Sequence, residues 1–165
     1  MRMWMILLIL CVLFWMLGVI SCDLFLYKRN TAKAKREMEI FRKQYQYYHL
    51  LNYWMYIKQR NITLEGWFKK KGFKKIAIYG MKELGERLYD ELIDTDIEIS
   101  CVVDQNKKGV LASYEVLDLN DEIPQVDVVI VTSYYYFDEI LRSLKPKVSC
   151  PILPLEYVIQ DAHNQ

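Results

Sequence analysis

The sequence predicts an α/β protein: a small parallel sheet of about five strands with helices between them, preceded by one transmembrane helix and a basic helical linker. Three observations carry that reading. Residues 3–22 contain no charge, residues 24–75 are strongly basic, and from residue 75 onward short apolar runs alternate with helical patterns. The division that follows is 1–23 for the transmembrane helix, 24–61 for the linker and 62–165 for the α/β domain.

The apolar run reads MWMILLILCVLFWMLGVISC. Twenty helical residues rise about 30 Å, the thickness of a hydrocarbon core. Trp4 and Tyr27 flank it, where amphipathic rings suit the interface. Lys28, Arg29, Lys33, Lys35 and Arg36 follow the run, against Arg2 alone before it. The positive-inside bias then gives a single-pass protein of the cell membrane, with the bilayer as partner and the carboxyl-terminal domain in the cytoplasm. Two other readings compete. A cleaved signal peptide would have a shorter apolar run. A lipoprotein signal is suggested by VISC, which ends at Cys22 like a lipobox, but the long run and the basic cluster after it count against this.

The net charge of +1 is a cancellation. Residues 24–75 hold 14 Lys/Arg against 3 Asp/Glu, and residues 76–165 hold 7 against 17. A basic stretch beside a membrane can face anionic headgroups or simply water; no nucleic-acid partner is expected. Residues 31–60 lack Gly and Pro and place Met38, Phe41, Tyr45, Tyr48 and Met55 on a helical stripe, with Leu50, Trp54 and Ile57 on a second. Apolar faces on two sides imply packing on two sides. The end of this helix is expected to dock on the following domain. Residues 38–57 offer a surface for a protein partner or a homodimer, although Asn52 interrupts the stripe.

In NITLEGWFKKKGF, Thr63 can cap a short helix and Gly72 can close it. KIAIY (75–79) suits a buried parallel strand, and Leu84, Leu88 and Leu92 lie on one face of the helix after it. IEISCVVD (97–104) is a second strand, YEVL a brief third and VDVVIVTS (126–133) a fourth. FDEILRSLK forms a helix, VSCPILPL a fifth strand held to an edge by Pro151, and EYVIQ a last helical turn.

The chemistry sits where the first strand meets its helix. In G-x-G-x-x-G, the first glycine makes a tight turn, the second lets the backbone approach a pyrophosphate, and the third lets helix pack closely on strand. Gly80 fits the first place and Gly85 the third, Lys82 occupies the second, and Asp104 ends the second strand where an acid can bond a ribose hydroxyl. The candidate ligand-binding residues are therefore Gly80, Lys82, Gly85 and Asp104. Lys82 can crowd a diphosphate or pair with it.

The pattern KKIAIYGMKELGERLYDEL…IEISCVVDQNKKG…VDVVIVTSYYYFDEILRSL resembles small Rossmann-like domains of bacterial surface-polysaccharide and sugar-modifying proteins, over roughly residues 74–155. These include domains of polysaccharide-biosynthesis epimerases, sugar acyltransferases and sugar methyltransferases. The resemblance implies a nucleotide-facing role for Gly80, Gly85 and Asp104, a ligand such as NAD(P) or a nucleotide-sugar, and an accessory part in envelope polysaccharide synthesis. Lys82 departs from the usual small residue. No nucleophile–base–orienter set is recognisable: the Rossmann-like region contains no histidine before His163, and Cys101 and Cys150 read as buried thiols. The competing functions are a non-catalytic adaptor on a Rossmann-like scaffold and a remnant of an epimerase or reductase.

Overall fold

The computed structural model describes residues 2–105 and 116–164, with residues 2, 7–10 and 12 described in backbone only. The chain divides into two compact units, Met1–Tyr48 and His49–Gln165. Helix α1 covers Arg2–Lys58, so its last turns belong to the second unit.

The expectation of a transmembrane helix within residues 1–23 is corrected. Among the described residues, no helix is long and apolar enough to cross a membrane. The single-pass placement with a cytoplasmic carboxyl-terminal domain rested on that span and is corrected with it.

In the second unit, α2 (Leu64–Lys71) begins at Thr63, whose hydroxyl accepts the Gly66 N–H at 3.1 Å. It ends at Gly72, whose φ of 78° is the left-handed cap expected of glycine. Then follow β1 (Lys75–Tyr79), α3 (Glu83–Leu92), β2 (Glu98–Val103), β3 (Val116–Leu117), β4 (Val128–Val131), a single 3-10 turn (Tyr134–Tyr136), α4 (Phe137–Leu144), β5 (Ile152–Pro154) and α5 (Leu155–His163). The first two residues of the expected third strand, Tyr114 and Glu115, lie outside the described residues.

Among the described residues the five strands are all parallel, in the order β3-β2-β1-β4-β5. This is the order of a doubly wound sheet, which reverses direction between β1 and β4. β1 is the central strand, and Ile76, Ala77 and Ile78 are fully buried. Side chains alternate across the sheet. Ala77, Tyr79, Cys101, Val103, Val129 and Val131 form one core with Ile140 and Leu144 of α4. Ile76, Ile78, Val102, Val128 and Ile130 have the opposite parity and face the layer of α2, α3 and α5. β5 is an edge strand, as Pro151 requires, and the Pro151 carbonyl still accepts the Val129 N–H at 2.9 Å.

Asp127 ties down the start of β1. One of its oxygens accepts the N–H groups of Lys74 and Lys75 at 2.7 and 2.8 Å. Those two backbone bonds, Lys75 first, hold its carboxyl below the ordinary carboxylate pKa. A depressed folded-state pKa contributes stability above the unfolded value, and that stability is lost as pH falls through the folded value. Asp127→Asn should therefore destabilise at neutral pH, with melting curves of mutant and parent converging as the medium is acidified below the ordinary carboxylate range.

Candidate functional site

Ligands of doubly wound sheets bind beyond the carboxyl ends of the strands, where the strand order reverses. Here that point is framed by the turn Gly80–Lys82 after β1, by Asp104 and Gln105 after β2, and by Thr132 to Tyr136 after β4.

Gly80 has φ 91°, a conformation side chains rarely adopt, and an added Cβ would stand 2.8 Å from Thr132 Oγ1. Its N–H donates to the Val103 carbonyl at 2.8 Å. Thr132 N–H donates to the Tyr79 carbonyl at 3.0 Å, and Thr132 Oγ1 donates to the Gly80 carbonyl at 2.6 Å. The turn is thus tied to both neighbouring strands. Gly85 lies directly beneath it: an added Cβ would be 2.1 Å from the Gly80 carbonyl oxygen and 3.2 Å from the Met81 sulfur. Gly80→Val should cost about 2 kcal/mol or more through backbone strain alone. Equal denaturation midpoints for mutant and parent would show that the turn tolerates a side chain.

The structure brings Asp104 onto this same turn. It is nearly buried, and its Oδ2 accepts the Met81 N–H at 2.7 Å. The acid expected to meet a ribose holds the glycine turn closed. Lys82 is the N-cap of α3, extended and exposed, and its side chain makes no capping bond. It neither fills nor crowds the turn; the buried side chain there is Met81, 4% exposed. All four residues singled out from the sequence therefore meet within one strand–turn–helix junction.

The electrostatics of that edge are acidic. Glu83 and Glu86 lie in the first turn of α3, Asp138 and Glu139 in the first turn of α4, and Glu156 in the first turn of α5. Carboxylates there complement the helix dipoles, and they occupy the field a phosphate would need. Tyr134 feels this directly: the negative charge of Glu156 pushes its phenol above the ordinary value. Tyr79 is pushed up chiefly by burial, with Asp104, Asp118 and Glu139 adding to the effect, while the Gln105 side chain, near but outside hydrogen-bond geometry, opposes it. Its hydroxyl is buried without a hydrogen-bond partner among the described residues. Burial likewise raises the Cys150 thiol, and Cys101 is buried in β2, so neither offers a ready thiolate.

Sequence reasoning missed Met81 and Thr132. The signal for Thr132 was present: a β-branched hydroxyl residue ends the most apolar strand in the chain, where a neighbouring turn needs a donor. A separate cleft of about 380 Å³ runs between the end of α3 and β2, lined by Tyr89, Ile93, Asp96 and Ile99 among others, away from the switch point. No group of three or more His, Cys, Asp or Glu suited to a metal occurs among the described residues. No curated protein and no solved structure matches the chain. Residues 72–149, from the cap of α2 to just beyond α4, match the model of a family described as C2185-like, N-terminal.

Proposed function

We propose that the α/β domain is a non-catalytic adaptor scaffold of Rossmann-like topology, whose switch-point turn is sealed by its own side chains rather than built to hold a diphosphate. The observation that carries this reading is the Asp104–Met81 hydrogen bond at 2.7 Å, which commits an oxygen of the ribose-type acid to the glycine turn. Two features support it. Thr132 closes the turn from the other side, and acids stand in the first turns of all three helices that start at this edge. A place in surface-polysaccharide assembly is supported by the sequence resemblance alone, a fold-level analogy.

A second reading is favoured by the glycine geometry itself. Gly80, Gly85 and Asp104 have the strand–turn–helix placement of a nucleotide site, and exposed Lys82 stands beside the amino terminus of α3, where phosphate is attracted. The deciding experiment is a thermal-shift titration of the full chain with NAD(P) and nucleotide-sugars. A ligand at about 100 times its Kd would add roughly 2.7 kcal/mol of stability. The scaffold reading expects no saturable shift for the parent or for Lys82→Gly. A saturable rise that Asp104→Asn abolishes would replace it with the nucleotide reading. Asparagine is the right substitution because its oxygen can still accept the Met81 N–H.

A further inference from the structure

Helix α1 carries a second pattern, in its charges. From Leu24 to Tyr48 the spacing alternates strictly between three and four residues. In a heptad written abcdefg, Leu24, Thr31, Met38 and Tyr45 fall at a; Tyr27, Ala34, Phe41 and Tyr48 fall at d. The large members of this seam are 55% to 68% exposed. Between Lys28 and Tyr48 the exposed large apolar side chains are Met38, Ile40, Phe41, Tyr45 and Tyr48, and all but Ile40 lie on the seam. Thr31 does not spoil it, because its hydroxyl donates within the helix to the carbonyls of Tyr27 and Lys28, both at 3.0 Å.

The flanking positions identify the occupant. Position g holds Asp23, Asn30 and Glu37; position e holds Lys28, Lys35 and Arg42. In a parallel pair, each g residue meets the e residue five positions later on the other helix. That juxtaposes Asp23 with Lys28 and Glu37 with Arg42 of the second copy, twice each by symmetry. An antiparallel pair would set g against g and e against e, acid on acid and base on base. We infer that α1 is a parallel homodimerisation element in which a second copy of this chain covers the Leu24–Tyr48 seam.

The carboxyl-terminal turns of α1 agree with this. Trp54 and Ile57 are buried in the chain's own α/β domain, at positions c and f, whereas Asn52 at a is exposed and Met55 at d is 58% exposed. In these last turns the c and f positions face the domain, and the a and d positions remain exposed. Asn52, an interruption in an isolated stripe, stands at an a position, where a buried Asn specifies register in parallel pairs. Glu37 already lies 3.8 Å from Lys33 of its own helix, but both side chains are well exposed, and such pairs contribute little. The inference stands apart from the scaffold reading, and nucleotide binding at the switch point would leave it unchanged.

Sedimentation equilibrium of the full chain is expected to show a dimer. Glu37→Lys alone and Arg42→Glu alone each replace two attractive contacts with two repulsive ones and should weaken dimerisation by roughly tenfold. The double variant E37K/R42E restores both contacts and should recover the parent affinity, and mixing the two single variants should yield heterodimers. These exposed substitutions leave the α/β core untouched, so loss and recovery report on pairing rather than folding. Mild oxidation of Met38→Cys should link the two substituted positions to each other. A monomeric parent, a dimer insensitive to the swaps, a double variant weaker than both singles, or no homotypic link at position 38 would each overturn the inference.

Discussion

Gly85→Ala is expected to cost about 3 kcal/mol or more, although it adds one methyl group and improves helix propensity. The new Cβ would stand 2.1 Å from the Gly80 carbonyl oxygen, and that oxygen cannot retreat. The Gly80 turn is fixed by its N–H bond to Val103 and by Thr132 on its carbonyl, so the whole amino-terminal turn of α3 must lift from the sheet. Lifting it would also pull the Met81 N–H from Asp104 and loosen the contact of Leu84 and Leu88 with the core. Gly18→Ala provides the control, since nothing lies within 4 Å of a Cβ added at this exposed helical position. Chemical denaturation should show G18A at or above parental stability and G85A far below it. A G85A midpoint close to that of the parent would mean that α3 does not sit on the turn as described.

That glycine was legible in the sequence because its role is steric and local. One run, IYGMKELGERL, contains the strand, the turn and the apolar face of the helix, and β1 and α3 form where their patterns place them. Pro151 marked the edge strand for the same reason. The state of the site was harder to read. Whether Asp104 points at a ligand or at Met81 depends on a bond between residues 23 positions apart, and no spacing rule fixes it. The membrane expectation rested on the hydropathy of residues 3–22, and among the described residues no helix is long and apolar enough to cross a membrane. The seam on α1 was visible as a stripe of apolar residues, but its orientation lies in the charges at e and g, which the stripe alone does not encode.

Glu91→Ala is the second large effect expected. Glu91 sits on the apolar face of α3, three residues after Leu88 and seven after Leu84, and that placement of a lone acid was itself a signal that it has buried partners. Its side chain is 7% exposed. Oε2 accepts Trp54 Nε1–H and Lys58 Nζ, both at 2.9 Å, and Oε1 accepts the Leu64 N–H at 3.0 Å. One side chain therefore joins the end of α1, the first residue of α2 and the last turns of α3. Removing it leaves the indole N–H of buried Trp54 and the first N–H of α2 without an acceptor, and it leaves the Lys58 ammonium without its counter-charge. The cost should be about 3 kcal/mol, falling first on the attachment of the α1 end. Trypsin should accordingly cut after Lys58 and Arg60 faster in E91A than in the parent under conditions where the sheet remains folded. Glu91→Gln keeps an acceptor oxygen but loses the charge and should fall between the two. Trp54→Phe removes one donor together with the need for it, and should therefore cost less than E91A. If E91A matches the parent in both stability and cleavage rate, the carboxylate is dispensable, and the end of α1 is held by the apolar contacts of Trp54 and Ile57 alone.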